Sequence, residues 1–99
     1  MQTFQVFFCF DSKASAYMPP FFMASKGEAI RAFTDLVNDG QSTVSRYPED
    51  FTLFHAGSWS DSTGAFELLQ TPDSVIRAIE LKKVVPIADS RQPDLLQKA

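Results

Sequence analysis

The stretch from Ser25 to Gly40 constrains the fold more than any other part of the sequence. Ser25 followed by Glu28 has the spacing of a capping box, in which each side chain accepts a hydrogen bond at the start of a helix. Gly40 supplies a residue that tolerates the left-handed conformation at a helix end. The pattern predicts an amphipathic helix from about Lys26 to Asn38, whose apolar stripe must be covered by another element. That stripe consists of Ala29, Ile30, Phe33, Leu36 and Val37.

Segments with the character of β-strands lie on both sides of this helix. Residues 3–10 alternate in the period-2 pattern of a strand and are rich in aromatic side chains. Residues 21–24 allow a short second strand. Residues 51–56 and 65–69 predict a hairpin, because the residues between them, 57–64, are rich in turn formers.

The remaining segments are predicted as loops and one short helix. Residues 11–20 and 41–50 are polar and contain proline, which is typical of surface loops. Thr71 followed by Pro72 has the pattern of a helix N-cap with proline in the first turn. We therefore expect a second helix that ends near Leu81.

These elements predict an α+β domain with a small antiparallel sheet of three to four strands, covered on one face by the amphipathic helix. A chain of 99 residues has room for one hydrophobic core. We expect residues 1–83 to form this single domain, together with the short second helix. Residues 84–99 form a polar C-terminal tail in this interpretation.

The composition argues against a metal site, a cofactor and an enzyme. Cys9 is the single cysteine and His55 the single histidine, so neither a disulfide nor a structural zinc site can be assembled. Glu49 and Asp50 are adjacent in an extended segment and should point apart, which disfavours a divalent-ion site. No phosphate-binding loop or nucleophile elbow is present in the sequence. We expect no catalytic residue, no metal and no cofactor.

The first ten residues predict the cellular compartment. They lack the basic region and the small-residue cleavage site of a signal peptide, and their alternation is typical of a strand. The 44% hydrophobic and 21% charged composition is typical of a soluble globular protein. We expect a cytoplasmic protein with no membrane partner.

Several short motifs carry a resemblance to a known family. They are Asp11-Ser12-Lys13-Ala14 leading to Tyr17, Pro20-Phe21, residues 27–33, Val37-Asn38, and residues 48–54 before Gly57 and Gly64. Over Asp11 to about Lys83 the chain resembles the small nonstructural protein of gokushovirus-type microviruses, which are bacteriophages with single-stranded DNA genomes. The resemblance implies a nonstructural protein in the host cell cytoplasm that binds DNA or serves single-stranded DNA synthesis. It carries no catalytic motif.

Binding of single-stranded DNA requires cations for phosphates and exposed aromatic faces on which bases stack. Basic and aromatic residues are interleaved in this sequence, but acidic residues outnumber basic ones twelve to nine, which predicts weak and salt-sensitive binding. The candidate nucleic-acid-binding residues are Lys13, Tyr17, Arg31, Arg46, Tyr47, Trp59, Lys82 and Lys83.

Two alternatives to DNA binding stay open from the sequence. The same residues are also typical of an ordinary solvated surface, with the two tyrosines packed on the rim of the core. The aromatic excess also suits a protein-interaction module, because the first strand is apolar at both Phe7 and Phe8 and so on both faces. We expect a homodimer in either interpretation, because one small monomer has little means of covering both faces of this strand. As an interaction module, the chain would act on a phage or host replication protein.

Overall fold

The computed structural model describes residues 2–83 and confirms the α+β architecture. The predicted tail, residues 84–99, lies outside the described residues, so the proposed domain boundary stays a prediction. A five-stranded antiparallel sheet forms one layer and the helices form the other. The elements are β1 (Thr3–Asp11), β2 (Ala16–Tyr17), β3 (Phe21–Met23), α1 (Lys26–Val37), α2 (Thr43–Arg46), a 3-10 turn (Pro48–Asp50), β4 (Phe51–Ser60), β5 (Phe66–Arg77) and α3 (Ala78–Leu81).

The sheet is built around the long pair β1 and β4. They run antiparallel, with β1 paired against β4 over its whole length, and β5 adds to the free side of β4. The outer edge of β1 is shared by two short strands, β2 at one end and β3 at the other. Pro19 and Pro20 lie between these short strands. Since proline has no N–H to donate, the edge is interrupted there.

The helix α1 begins and packs as its sequence predicts. The Ser25 hydroxyl accepts a hydrogen bond from the Glu28 amide at 3.2 Å, and the Glu28 carboxylate accepts one from the Ala24 amide at 3.3 Å. Phe33 and Val37 are buried against the sheet. The core between the two layers also contains Phe7, Cys9, Ala29, Val44, Phe51, Leu53 and Ala78.

The loop predicted at residues 57–64 is longer than the turn that the structure has there. The strands of the hairpin continue to Ser60 and resume at Phe66, so the turn itself occupies residues 61–63. Serine and glycine favour turns locally, but here cross-strand hydrogen bonding to β1 and β5 extends β4 through them. Trp59 therefore lies in a strand and not in a loop.

The second predicted helix is largely wrong. Thr71 and Pro72 belong to β5, and helical structure is confined to Ala78–Leu81. The register against β4 shifts between His55 and Gly57, where several residues of β5 lie opposite a single residue of β4. An irregularity of this kind accommodates proline, which cannot donate to a ladder. Pairing with β4 thus overrides the local N-cap signal.

The predicted loop over residues 41–50 also contains more structure than expected. The Ser42 hydroxyl caps the short helix α2 by accepting from the Ser45 amide at 3.1 Å. Val44 and Pro48 are buried, so this segment closes one side of the core. The short strand predicted at residues 21–24 is confirmed as β3.

Candidate nucleic-acid interface

The face of the sheet opposite α1, called here the open face, is lined with aromatic side chains. Alternation along β1 directs Phe7 and Cys9 to the helices, and the residues between them to the other side. Residues paired in register share a face, so the open-face residues of the other strands follow from the pairing. The open-face aromatic residues are Phe4, Phe8, Phe10, Tyr17, Phe22, Phe54, Trp59 and Phe66.

Four of these residues form a tyrosine cluster, which consists of Phe8, Phe10, Tyr17 and Phe54. The Tyr17 ring centroid lies 4.8 Å from that of Phe8 and 4.8 Å from that of Phe10. The Phe54 ring meets Tyr17 edge-on at 6.0 Å. Tyr17 nevertheless remains 55% exposed. The cluster is a fixed platform with one tyrosine ring open to solvent.

The other four form a tryptophan cluster, which consists of Phe4, Phe22, Trp59 and Phe66. Phe4, Trp59 and Phe66 are register partners across β1, β4 and β5. Phe22 reaches Trp59 from the edge strand β3, with ring centroids 5.6 Å apart. The four side chains line a cleft of about 460 Å³. Sequence reasoning found Trp59 but missed its three ring partners.

Charge is distributed unequally between the two sides of the sheet. The strands carry three carboxylates, those of Asp11, Glu67 and Asp73. Each of these residues pairs with a helix-side residue, so each lies on the helix side of the sheet. Over residues 2–83, the open-face positions of the strands therefore carry no carboxylate. They do carry Arg77, which pairs with Thr52. Arg77 was assigned to a helix from the sequence, so its place on this face could not be predicted.

A second cleft lies at the end of the sheet, where β1 turns into β2. Lys13 and Tyr47, which come from different loops of the sequence, both line this cleft of about 340 Å³. The Arg46 guanidinium lies 6.0 Å from the centre of the Tyr47 ring. Asp11 and Asp50 also line the cleft. The fold thus brings together three of the predicted binding residues, but beside two carboxylates.

A family model described as Phage ORF5 protein matches residues 4–81, which is most of the chain. The chain belongs to the Phage ORF5 protein family. Among curated proteins and among solved structures, no match is found. The matched range of this ORF5 protein contains both aromatic clusters and Arg77, and it ends before Lys82.

The Lys82 side chain of the ORF5 protein is hydrogen-bonded within the fold. The Lys82 ammonium donates to the Val37 carbonyl at 3.2 Å and to both the carbonyl and the hydroxyl of Ser45 at 3.0 Å. Its three N–H groups are thus matched by three acceptors. Lys82 ties the end of α1 to α2, and these hydrogen bonds compete with any contact to phosphate, so its assignment as a binding residue stays a prediction.

The other predicted cations lie in the helical layer or next to it. Arg31 is on the exposed side of α1, away from the open face. The Lys83 side chain is exposed, while its backbone amide donates to the Asn38 side chain at 2.9 Å. Neither cation lies near the aromatic clusters, because the sheet separates the two layers.

The two side chains most suited to catalysis, those of Cys9 and His55, are engaged in the core and in a cross-strand hydrogen bond. Burial raises the pKa of the Cys9 thiol from 9.0 to about 11, which disfavours the nucleophilic thiolate. The His55 ring hydrogen-bonds to the Gln5 side chain at 2.8 Å across β1 and β4. Across the part of the ORF5 protein that the structure describes, acidic, histidine and cysteine side chains form no group that could hold a metal ion. No helix within residues 2–83 is long and apolar enough to span a bilayer.

Proposed function

We propose that this phage protein binds single-stranded DNA on the open face without strong sequence preference, and so assists viral DNA synthesis or packaging. The proposal includes the narrower relationship to gokushovirus-type microviruses, a location in the host cell cytoplasm, and the absence of catalysis. The observation that carries it is the placement of Tyr17 and Trp59 in two aromatic clusters on one face without strand carboxylates.

Aromatic stacking supplies affinity without sequence preference, because every base has a π-face. Each stacked base contributes about 1–3 kcal/mol to binding in other single-strand-binding proteins. Tyr17 and Phe66 are about half exposed, so they can take a base without prior unpacking. Their neighbours are fixed in strands, so little conformational entropy is lost on binding.

Cations lie at the tyrosine-cluster end of the sheet. Arg77, Thr52 and Phe10 are aligned in register across three strands, and Lys13 lies in the turn that follows β1. Arg46 borders the adjacent cleft through Tyr47. Arg46 belongs to α2 in the helical layer, so Arg77 and Lys13 are the cations available to the open face. Two cations support contact with about two phosphates, for which the slope of log affinity against log salt is about −1.4.

Fluorescence of Trp59, the single tryptophan, tests the proposal directly. Oligothymidine should change this fluorescence at low salt, and the apparent affinity should fall at moderate salt with the slope given above. A duplex of the same length should bind more weakly, because its bases are not free to stack.

A matched pair of arginine variants tests which face is used. Arg77→Gln should weaken binding and reduce the salt slope by about 0.7, which is the contribution of one phosphate contact. Arg31→Gln removes an equally exposed charge from the helical layer and should leave binding unchanged. Equal effects of the two variants, or no binding of oligothymidine at low salt, would remove the proposal.

A second candidate is a protein-interaction module that uses the same face. Leu68 is 65% exposed and is a register partner of Gly57, between the two clusters. An exposed apolar surface with a single guanidinium is also typical of an interface with a second copy or with a replication protein. Light scattering over a dilution series distinguishes the interaction module from DNA binding. A dimer formed through this face would cover the surface that DNA needs, so the dimer and DNA would compete.

A further inference from the structure

The two aromatic clusters differ in shape, although they lie on one face. In the tyrosine cluster, Tyr17 rests on Phe8 and Phe10 with centroids 4.8 Å away, which leaves a platform. In the tryptophan cluster, neighbouring rings lie 5.6–6.5 Å apart around the 460 Å³ cleft. A platform offers one ring face for stacking, whereas an open cleft lined by four rings can seat one flat group against several of them.

The space between the clusters holds one row of three residues, in which Val6 is buried, Gly57 has no side chain and Leu68 is exposed. The three are aligned in register. At Gly57 a Cβ atom would lie 2.3 Å from the Glu67 carbonyl oxygen, so β4 and β5 approach too closely for any other residue. The sheet backbone is therefore fixed between the clusters, which holds them at a constant separation.

This separation follows from the geometry of β1. Phe4 and Phe10 are six residues apart on the same strand, which corresponds to about 20 Å at ~3.3 Å per residue. Each strand of duplex DNA advances about 3.4 Å per nucleotide, and a stacked single strand is taken to advance by the same amount. Two bases about 20 Å apart are then separated by about six steps, so an oligomer of about seven nucleotides reaches from one cluster to the other.

From these observations, and resting on the proposed function, we infer that the tryptophan cluster seats one unpaired nucleobase in its open cleft. The tyrosine cluster then stacks a second base about six nucleotides away along the same strand. Flat aromatic groups fit the cleft because its four lining side chains are all rings. A cationic guest is disfavoured because its lining contains no carboxylate to balance the charge. The site is thus bipartite, and its ligand is a single strand of a minimum length.

Oligothymidines of two to twelve nucleotides, titrated against Trp59 fluorescence at low salt, test the inference. Short oligomers can occupy one cluster at a time, whereas oligomers of about seven nucleotides or more can occupy both. Affinity should therefore rise by about a hundredfold around that length, because the second contact becomes intramolecular. A smooth increase with length, without a step, would overturn the bipartite site and leave the proposed function standing.

Phe66→Ala and Leu68→Ala provide the matched variants. Both side chains are exposed on the same strand and the same face, at 53% and 65%, so folding should tolerate either truncation. Phe66→Ala should abolish the step and weaken long oligomers by between about 5-fold and 150-fold, the range for one lost base stack. Leu68→Ala should retain the step.

Equal behaviour of the variants would overturn the inference, as would a changed oligomeric state in Phe66→Ala with unchanged DNA binding. Failure of every oligomer to bind would instead remove the proposed function itself.

Discussion

Replacing Lys82 by methionine should destabilise the fold without a direct effect on phosphate binding. The ammonium donates to carbonyls of Val37 and Ser45 and to the Ser45 hydroxyl, and Ser45 is 3% exposed. Methionine retains an apolar stem of similar length but has no donor, so these acceptors lose a charged partner. Hydrogen bonds to charged groups contribute about 1.5–3 kcal/mol each, but they are not additive at one partly exposed ammonium. We expect a loss of about 2–3 kcal/mol in the free energy of unfolding.

Chemical denaturation of Lys82→Met beside Lys83→Met measures this loss with an internal control. The Lys83 side chain is exposed, and its replacement should change the free energy of unfolding by less than about 0.5 kcal/mol. Equal stability of the two variants would show that the Lys82 ammonium is solvated and that the proposed tie between α1 and α2 is unimportant. A reduced salt slope for DNA with unchanged stability would return Lys82 to the binding surface.

Two further predictions concern the core. Phe33→Ala should lower the free energy of unfolding by about 3–5 kcal/mol, because its side chain is 2% exposed between α1 and the sheet; a loss under about 1 kcal/mol in denaturant would place this ring outside the core. The Cys9 thiol, with its pKa raised to about 11, should react slowly with a thiol reagent at pH 8 and rapidly after unfolding. The same shift means that the folded state retains a proton which the unfolded chain loses near pH 9, so this contribution to stability is lost between pH 9 and 11. Rapid native-state reaction, or a pH profile identical to that of Cys9→Ala, would contradict the burial of this thiol.

Local sequence patterns were sufficient to predict the elements whose contacts join residues close in sequence. The Ser25 and Glu28 capping box, the apolar stripe of α1 and the alternation of β1 all involve residues close in sequence, and each predicted element is confirmed. Thr71 and Pro72 show the limit of such signals. Both lie in the irregular part of β5, and the pairing of the residues on either side with β4 holds them in the strand. That pairing depends on residues about twenty positions away, which no local pattern reports.

The candidate interface shows the same limit. Tyr17 and Trp59 were identified by residue type, but their cluster partners depend on strand register, which the sequence did not determine. Phe66 joins Trp59 because the hairpin turn is shorter than predicted. The hydrogen bonds of Lys82 could not be predicted, because charge alone does not distinguish a solvated ammonium from one that binds backbone carbonyls.

Proline on both lateral edges of the sheet limits how copies of this chain can assemble. A sheet edge with free N–H and C=O groups is a template on which another chain can add a strand and begin a fibre. Here Pro19 and Pro20 interrupt the edge formed by β2 and β3, and Pro72 interrupts β5 at the other edge. Neither edge offers an unbroken ladder for strand addition. We therefore expect less risk of edge-to-edge polymerisation, and we expect any association between copies to use the open face.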